Sequence, residues 1–174
     1  MDKNFLEIIK TRRSCRKYKA EQITDEELQA VLEAGMYAPT SRGMQSPFIV
    51  AVQDKRLMDE LAAMNAGIMG VTSNPYYDAP TYVLVFAPAD AHNPVQDASC
   101  VLENMMLAAH AIGLGSCWIH REREMFSTER GKELMKSWGL PDGLMGVGAL
   151  ALGYPAGEPA PAKPRKEGYS RIIR

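Results

Sequence analysis

The stretch from residue 96 to 112 constrains this chain most. Val101, Leu102, Met105, Met106, Leu107, Ala108, Ala109 and Ile112 make a helix that is apolar nearly all round, with charge reduced to Asp97 and Glu103. A helix without a broad polar face has to be covered, so it must cross the middle of a domain or enter a subunit interface. The remaining residues must supply that cover. With 174 residues, 46% of them hydrophobic, the chain can bury one substantial core and is short for two, so a single domain over residues 1–174 is expected.

The cover comes from both kinds of element. Phe48-Ile49-Val50-Ala51-Val52 is a continuous apolar and β-branched run, which predicts a strand buried on both faces and placed centrally. Tyr82–Phe86, Cys117–Ile119 and Val147–Leu152 read as three more strands. Residues 3–10 predict a short amphipathic helix through Phe5, Leu6, Ile8 and Ile9. Thr24-Asp25-Glu26-Glu27 has the form of a capping box, and the helix it starts carries Leu28, Val31 and Leu32 inward and closes by Pro39. Residues 55–65 and 129–138 predict two further helices, with a long loop after the first, marked by Gly67, Gly70, Asn74 and Pro75. Mixed helices and strands without a repeat define an α+β chain. From Tyr154 onward Pro155, Pro159, Pro161 and Pro164 predict an extended arm that runs over another surface.

Charge is concentrated at the two ends. Residues 10–19 hold six basic side chains and no acidic one, and residues 163–174 hold five against Glu167, so eleven of the 20 Lys and Arg lie in two short stretches while the net charge is only -1. Such placement in a near-neutral chain points to a compact anion, best a phosphate, rather than to nucleic acid. Cys15, Cys100 and Cys117 are far apart and read as free thiols, and no metal site is expected. Cys117 and His120 fall on opposite sides of a strand and make a poor nucleophile and base pair. His110 reads as a satisfied core or interface histidine. Gly146-Val147-Gly148-Ala149-Leu150-Ala151 matches a dinucleotide fingerprint in letters, but Pro155 stands where the required helix would continue. No leader or long apolar segment is visible, so a cytoplasmic protein is expected.

Five segments in chain order resemble the FMN-dependent nitroreductase family: Arg12-Arg13-Ser14-Cys15-Arg16-Lys17-Tyr18, Ala38–Pro47, Gly113–Ile119, Leu152-Gly153-Tyr154-Pro155 and Lys163-Pro164-Arg165-Lys166. The resemblance implies a mainly antiparallel sheet of about four to five strands flanked by helices, in a homodimer whose arm, residues 155–174, packs on the partner subunit. It implies that Arg12, Arg13, Ser14, Lys163 and Arg165 hold the phosphate and ribityl end of FMN. Arg16 is placed near the phosphate or the pyrimidine edge, and Asn65 on that edge. Pro39, Thr40, Ser41 and Gln45 would cover the flavin from one subunit, and Trp118, Ile119 and His120 from the other. NADH or NADPH is the implied electron donor and a nitroaromatic or quinone the acceptor, by a ping-pong mechanism in which flavin N5, and no protein side chain, carries the hydride. Gly43 stands where many members have Asn, and Trp118 and His120 differ from longer members. A relative with another flavin reaction, such as dehalogenation or flavin cleavage, and a flavin-binding dimer without catalysis remain alternatives.

Overall fold

The computed structural model describes residues 5–174; Lys3 and Asn4 of the expected first helix lie outside the described residues. Four strands, β1 (Phe48–Val52), β2 (Thr81–Pro88), β3 (Gly115–Ile119) and β4 (Leu144–Gly153), form one antiparallel sheet in the order β1-β2-β4-β3. The long pair at its centre sets Thr81 opposite Leu152 and Leu84 opposite Ala149, with a register shift between Val85 and Phe86. Every residue of β2 except Pro88 is buried, as expected of a strand with a neighbour on each edge and packing on each face.

The expectation that residues 48–52 are central is corrected: among the described residues β1 pairs only with β2 and is an edge strand. Its unbroken apolar run has a different cause. Ile49 and Ala51 pack on one face of the sheet and Val50 and Val52 on the other, so the run records two covered faces and not two paired edges.

Among the described residues six helices complete the fold: α1 (Phe5–Thr11), α2 (Asp25–Met36), α3 (Lys55–Met69), α4 (Pro94–Ala111), α5 (Glu122–Ser127) and α6 (Glu129–Ser137). The capping box of α2 is formed, with the Thr24 hydroxyl accepting from Glu27 N and a Glu27 carboxylate oxygen accepting from Thr24 N. α4, the helix of the apolar stretch, packs against α2 and one sheet face through Val101, Leu102, Met105 and Ala109. On the other face α3, α5 and α6 enclose Leu61, Phe86, Phe126 and Leu134, with the Phe86 and Phe126 rings edge to face at 4.7 Å between centroids. α5 is an element the sequence pattern does not announce: it is six residues long, and its buried Met125 and Phe126 are too few to show a helical period. Thr128 ends it and caps α6, its hydroxyl accepting from Gly131 N.

The arm begins against the other end of the chain. Lys19 N donates to Tyr154 O at 2.9 Å, and Ala156 N donates to Lys17 O at 3.0 Å. Residues 156–174 are exposed and hold neither helix nor strand. No helix among the described residues is long and apolar enough to cross a membrane.

Candidate functional site

The N-terminal basic cluster is fixed by main-chain pairing to the outer strand of the sheet. Ser14 bridges Ser116 in parallel fashion, and Cys15 N donates to Ser116 O at 2.9 Å. Tyr18 reinforces the arrangement, its hydroxyl donating to Cys15 O at 2.8 Å and Ala151 O at 3.0 Å. Burial is the first cause that raises this phenol well above its ordinary range, so it stays a neutral donor. The chain from Thr11 to Lys17 is thereby held in the space between α4, β3 and the start of the arm.

A cavity of about 490 Å³ opens there, lined by Arg13, Ser14, Arg16, Lys17, Gly115 and Gly157 among others, with Glu158 its one carboxylate. Arg13 is oriented by donating to Lys10 O and Arg12 O. Arg16 lies over the Tyr77 ring at 5.9 Å, and a hydrogen bond with Tyr77 is the main cause that raises its already high pKa. Arg12 is half-buried, and its Nη1 is buried with no hydrogen-bond partner among the described residues. A buried guanidinium nitrogen left unpaired is costly, and an anion is the partner that best relieves it. Below this cluster Cys117 is buried, and burial raises its thiol pKa against the opposing pull of Arg16. That thiol is a core group, poorly suited to nucleophilic work.

Of the residues expected at an anion site, the structure brings Arg13, Ser14 and Arg16 to this cavity; Arg12 adjoins them in the chain with its Nη1 buried and does not itself line the cavity. Lys163 and Arg165 are exposed on the arm and do not line this cavity; the arm contributes the segment 155–160 instead. Pro39, Thr40, Ser41 and Gln45 form a second place. The Thr40 hydroxyl accepts from Gln45 N, Ser41 N donates to the buried Asp97 carboxylate at 3.0 Å, and Asn93 donates to the Ser41 hydroxyl. The short 3-10 turn Ser41–Gly43 and its exit are tightly bent, with Arg42, Gly43 and Gln45 all at positive φ. Thr40 and Gln45 line a mostly apolar cavity of about 360 Å³ with Leu32, Met36 and Phe48.

The β3 residues divide. Trp118 is half-buried, lying where Gly148 permits its close approach: a side chain at 148 would come within 2.7 Å of the indole nitrogen. His120 is exposed at the strand's end. The Ile119 side chain is 5% exposed and packs in the core with Leu84, Met125 and Phe126, which leaves its main chain for a ligand. Asn65 sits inside α3 rather than at its end, is wholly buried, and its Nδ2 donates to His120 O at 2.8 Å, while its Oδ1 has no partner among the described residues.

Sequence reasoning missed the group around that amide. Glu122, with no exposure, accepts from the Tyr76 hydroxyl at 3.0 Å, while its Oε2 is buried without a partner. Burial foremost raises its carboxyl to about 7. Arg121 before it has φ 88, a strained value for a residue with a side chain. Neither Tyr76 nor Glu122 stands in a periodic or motif context, and nothing in the letters links them.

A sequence model of the Nitroreductase family matches residues 9–154. Among curated proteins, an NADPH-flavin oxidoreductase of Vibrio harveyi is 32% identical over 179 residues, covering 93% of this chain and 70% of that protein. Among solved structures, a nitroreductase of Bacteroides fragilis with bound FMN superposes with a TM-score of 0.90 at 32% identity, covering 99% of this chain and 100% of that one. A nitroreductase of Desulfitobacterium hafniense with bound FMN gives 0.87 at 26% identity, with coverage of 99% and 100%.

Proposed function

This chain belongs to the nitroreductase family, and on that premise we propose that it is an FMN-dependent oxidoreductase drawing on NADH or NADPH and reducing nitroaromatic or quinone-type acceptors. The observation that carries the reading is the buried, unpartnered Arg12 Nη1 in a cluster whose other cations, Arg13, Arg16 and Lys17, line one cavity. The residues fit a phosphomonoester. A dianionic phosphate takes fork-like arginine donors and a hydroxyl such as that of Ser14, each charge-assisted bond contributing roughly 1.5 to 3 kcal/mol.

Bound FMN supplies a two-electron hydride acceptor that links donor and acceptor in time. The chain's own task is binding and electrostatics. Arg16, held by Tyr77, is the cation placed to stabilise negative charge near the pyrimidine edge. Lys163 and Arg165 reach a phosphate when the exposed arm beyond residue 160 folds over the cavity of its own subunit or of the partner subunit. Protons come from water, and no side chain acts as nucleophile. Donor and acceptor occupy one open cleft in turn, so initial-rate lines run parallel.

We place the flavin at the seam of a homodimer, with Pro39–Gln45 of one subunit facing Trp118–His120 of the other. Exposed apolar side chains favour this: Met36, Tyr37 and Met44 beside the first segment, and Ile172 and Ile173 on the arm, the last 89% exposed. The test is direct. Purified protein should be yellow and release FMN on denaturation, and anaerobic NADH or NADPH should bleach it rapidly, with colour returning on addition of a nitroaromatic or a quinone. Colourless protein that takes up no added FMN contradicts the reading, and bound flavin that stays oxidised turns it into a binding protein.

A further inference from the structure

We propose that Asn65, Tyr76 and Glu122 form a buried polar latch that positions the His120–Arg121 turn at the end of β3, and that a single proton on Glu122 closes it. The three residues come from α3, the loop before β2 and the first turn of α5, and they meet in the core with no exposure. Asn65 Nδ2 holds the His120 carbonyl at 2.8 Å. The Tyr76 hydroxyl donates to Glu122 Oε1 at 3.0 Å and is also in hydrogen-bonding reach of Asn65. Tyr76 itself is fixed by stacking on Tyr82, with ring centroids 4.0 Å apart, and by its N donating to the Asn74 side chain at 2.8 Å.

Two acceptors in this cluster, Asn65 Oδ1 and Glu122 Oε2, are buried without partners. With Glu122 ionised, both are unsatisfied acceptors at a buried charge that Tyr76 and Arg121 offset only in part, which is the costly arrangement. With Glu122 protonated, Oε2 becomes a donor in the same cluster that holds the unpaired Oδ1, and the charge is gone. The charged and titratable groups bearing on Glu122 are Tyr76 from the loop and Arg121 and Glu124 on its own segment. β4 presents Gly146, whose missing side chain lets the Glu122 main chain approach. Arg121 pulls the carboxyl pKa down, but burial outweighs it: one guanidinium nitrogen contacts Met69 Sδ at 2.7 Å, and its Nε is buried and unpaired.

Burial raises the carboxyl from an ordinary 4.5 to about 7. The folded chain therefore binds more protons than the unfolded chain between those values, so the latch stabilises fully at low pH and loses its contribution as pH rises toward about 7. Opening the latch frees the His120 turn, and its effect on FMN rests on the proposed placement of Trp118–His120 over the flavin.

The experiment compares wild type with Glu122→Gln, whose amide supplies the donor without titrating. On flavin-free protein, isotope-edited infrared spectroscopy should show a protonated buried carboxyl at pH 5.5 that fades toward pH 8.5 and is missing in Glu122→Gln. Thermal midpoints of wild type should fall across the same interval relative to the variant. Parallel midpoints and an ionised carboxylate throughout overturn the latch. FMN affinity measured over the same range should fall up to roughly tenfold more in wild type than in Glu122→Gln; the variant cancels the titration of the FMN phosphate. A carboxyl that titrates while the two affinities stay parallel overturns the positioning role alone. Protein that binds no FMN refutes the proposed function and leaves the infrared result to judge the proton.

Discussion

The cavity beside Arg13–Lys17 and the cluster around Glu122 both leave polar atoms unpaired, yet they are opposite in kind. The cavity is open, and its cationic side is built from consecutive residues along one extended segment. The cluster is sealed, close to neutral when protonated and assembled from residues 65, 76 and 122. An unpaired cationic donor in a segment that also lines an open cavity asks for a ligand from outside. Unpaired acceptors in a sealed core ask for a proton. The difference teaches that an orphaned polar group is a pointer to function only when its access to solvent is taken together with its charge.

The sharpest way to break the comparison is Arg12→Ala. It should weaken FMN binding by roughly ten- to hundredfold, the loss of one or two charge-assisted bonds, with little change in the fold. Unchanged affinity in an equilibrium titration would put the orphaned guanidinium outside the ligand site. Gly146→Ala strikes the sealed region instead. Its new methyl group would come within 2.4 Å of Glu122 O, a main-chain atom that cannot swing aside. A loss of about 1–3 kcal/mol is expected, read as a lower urea midpoint, with FMN affinity much less affected than in Arg12→Ala. Thr24→Ala lies in neither region; removing the formed capping box should cost about 1 kcal/mol of stability and leave flavin affinity alone. Last, Arg171→Ala on the exposed arm should change FMN retention least, because Arg171 is solvent-exposed and leaves no buried polar atom unpaired. Equal retention in Arg171→Ala and Arg12→Ala would erase the distinction between site and tail.

The same contrast explains what was legible in the letters. The basic segment could be read because consecutive residues on an extended chain stay neighbours in space. The capping box at Thr24 and the burial of α4 were legible for the same local reason. The rank of β1 was not, because an apolar run reports covered faces and says nothing about paired edges. The position of Asn65 within α3 was not legible either: the helix runs on to Met69, and Asn65 is buried with its Nδ2 on the His120 carbonyl. Lys163 and Arg165 look like partners of Ser14 in composition, but the pairing at Lys17, Lys19, Tyr154 and Ala156 guides only the arm's first residues to the cavity.

The central claim is that the Arg12–Lys17 cluster exists to hold a flavin phosphate. It is tested most directly by titrating flavin-free wild type and Arg12→Ala with FMN and with riboflavin, which lacks the phosphate. The account predicts that wild type strongly prefers FMN and that most of this preference disappears in Arg12→Ala. An FMN-to-riboflavin affinity ratio that is the same in both proteins would contradict it.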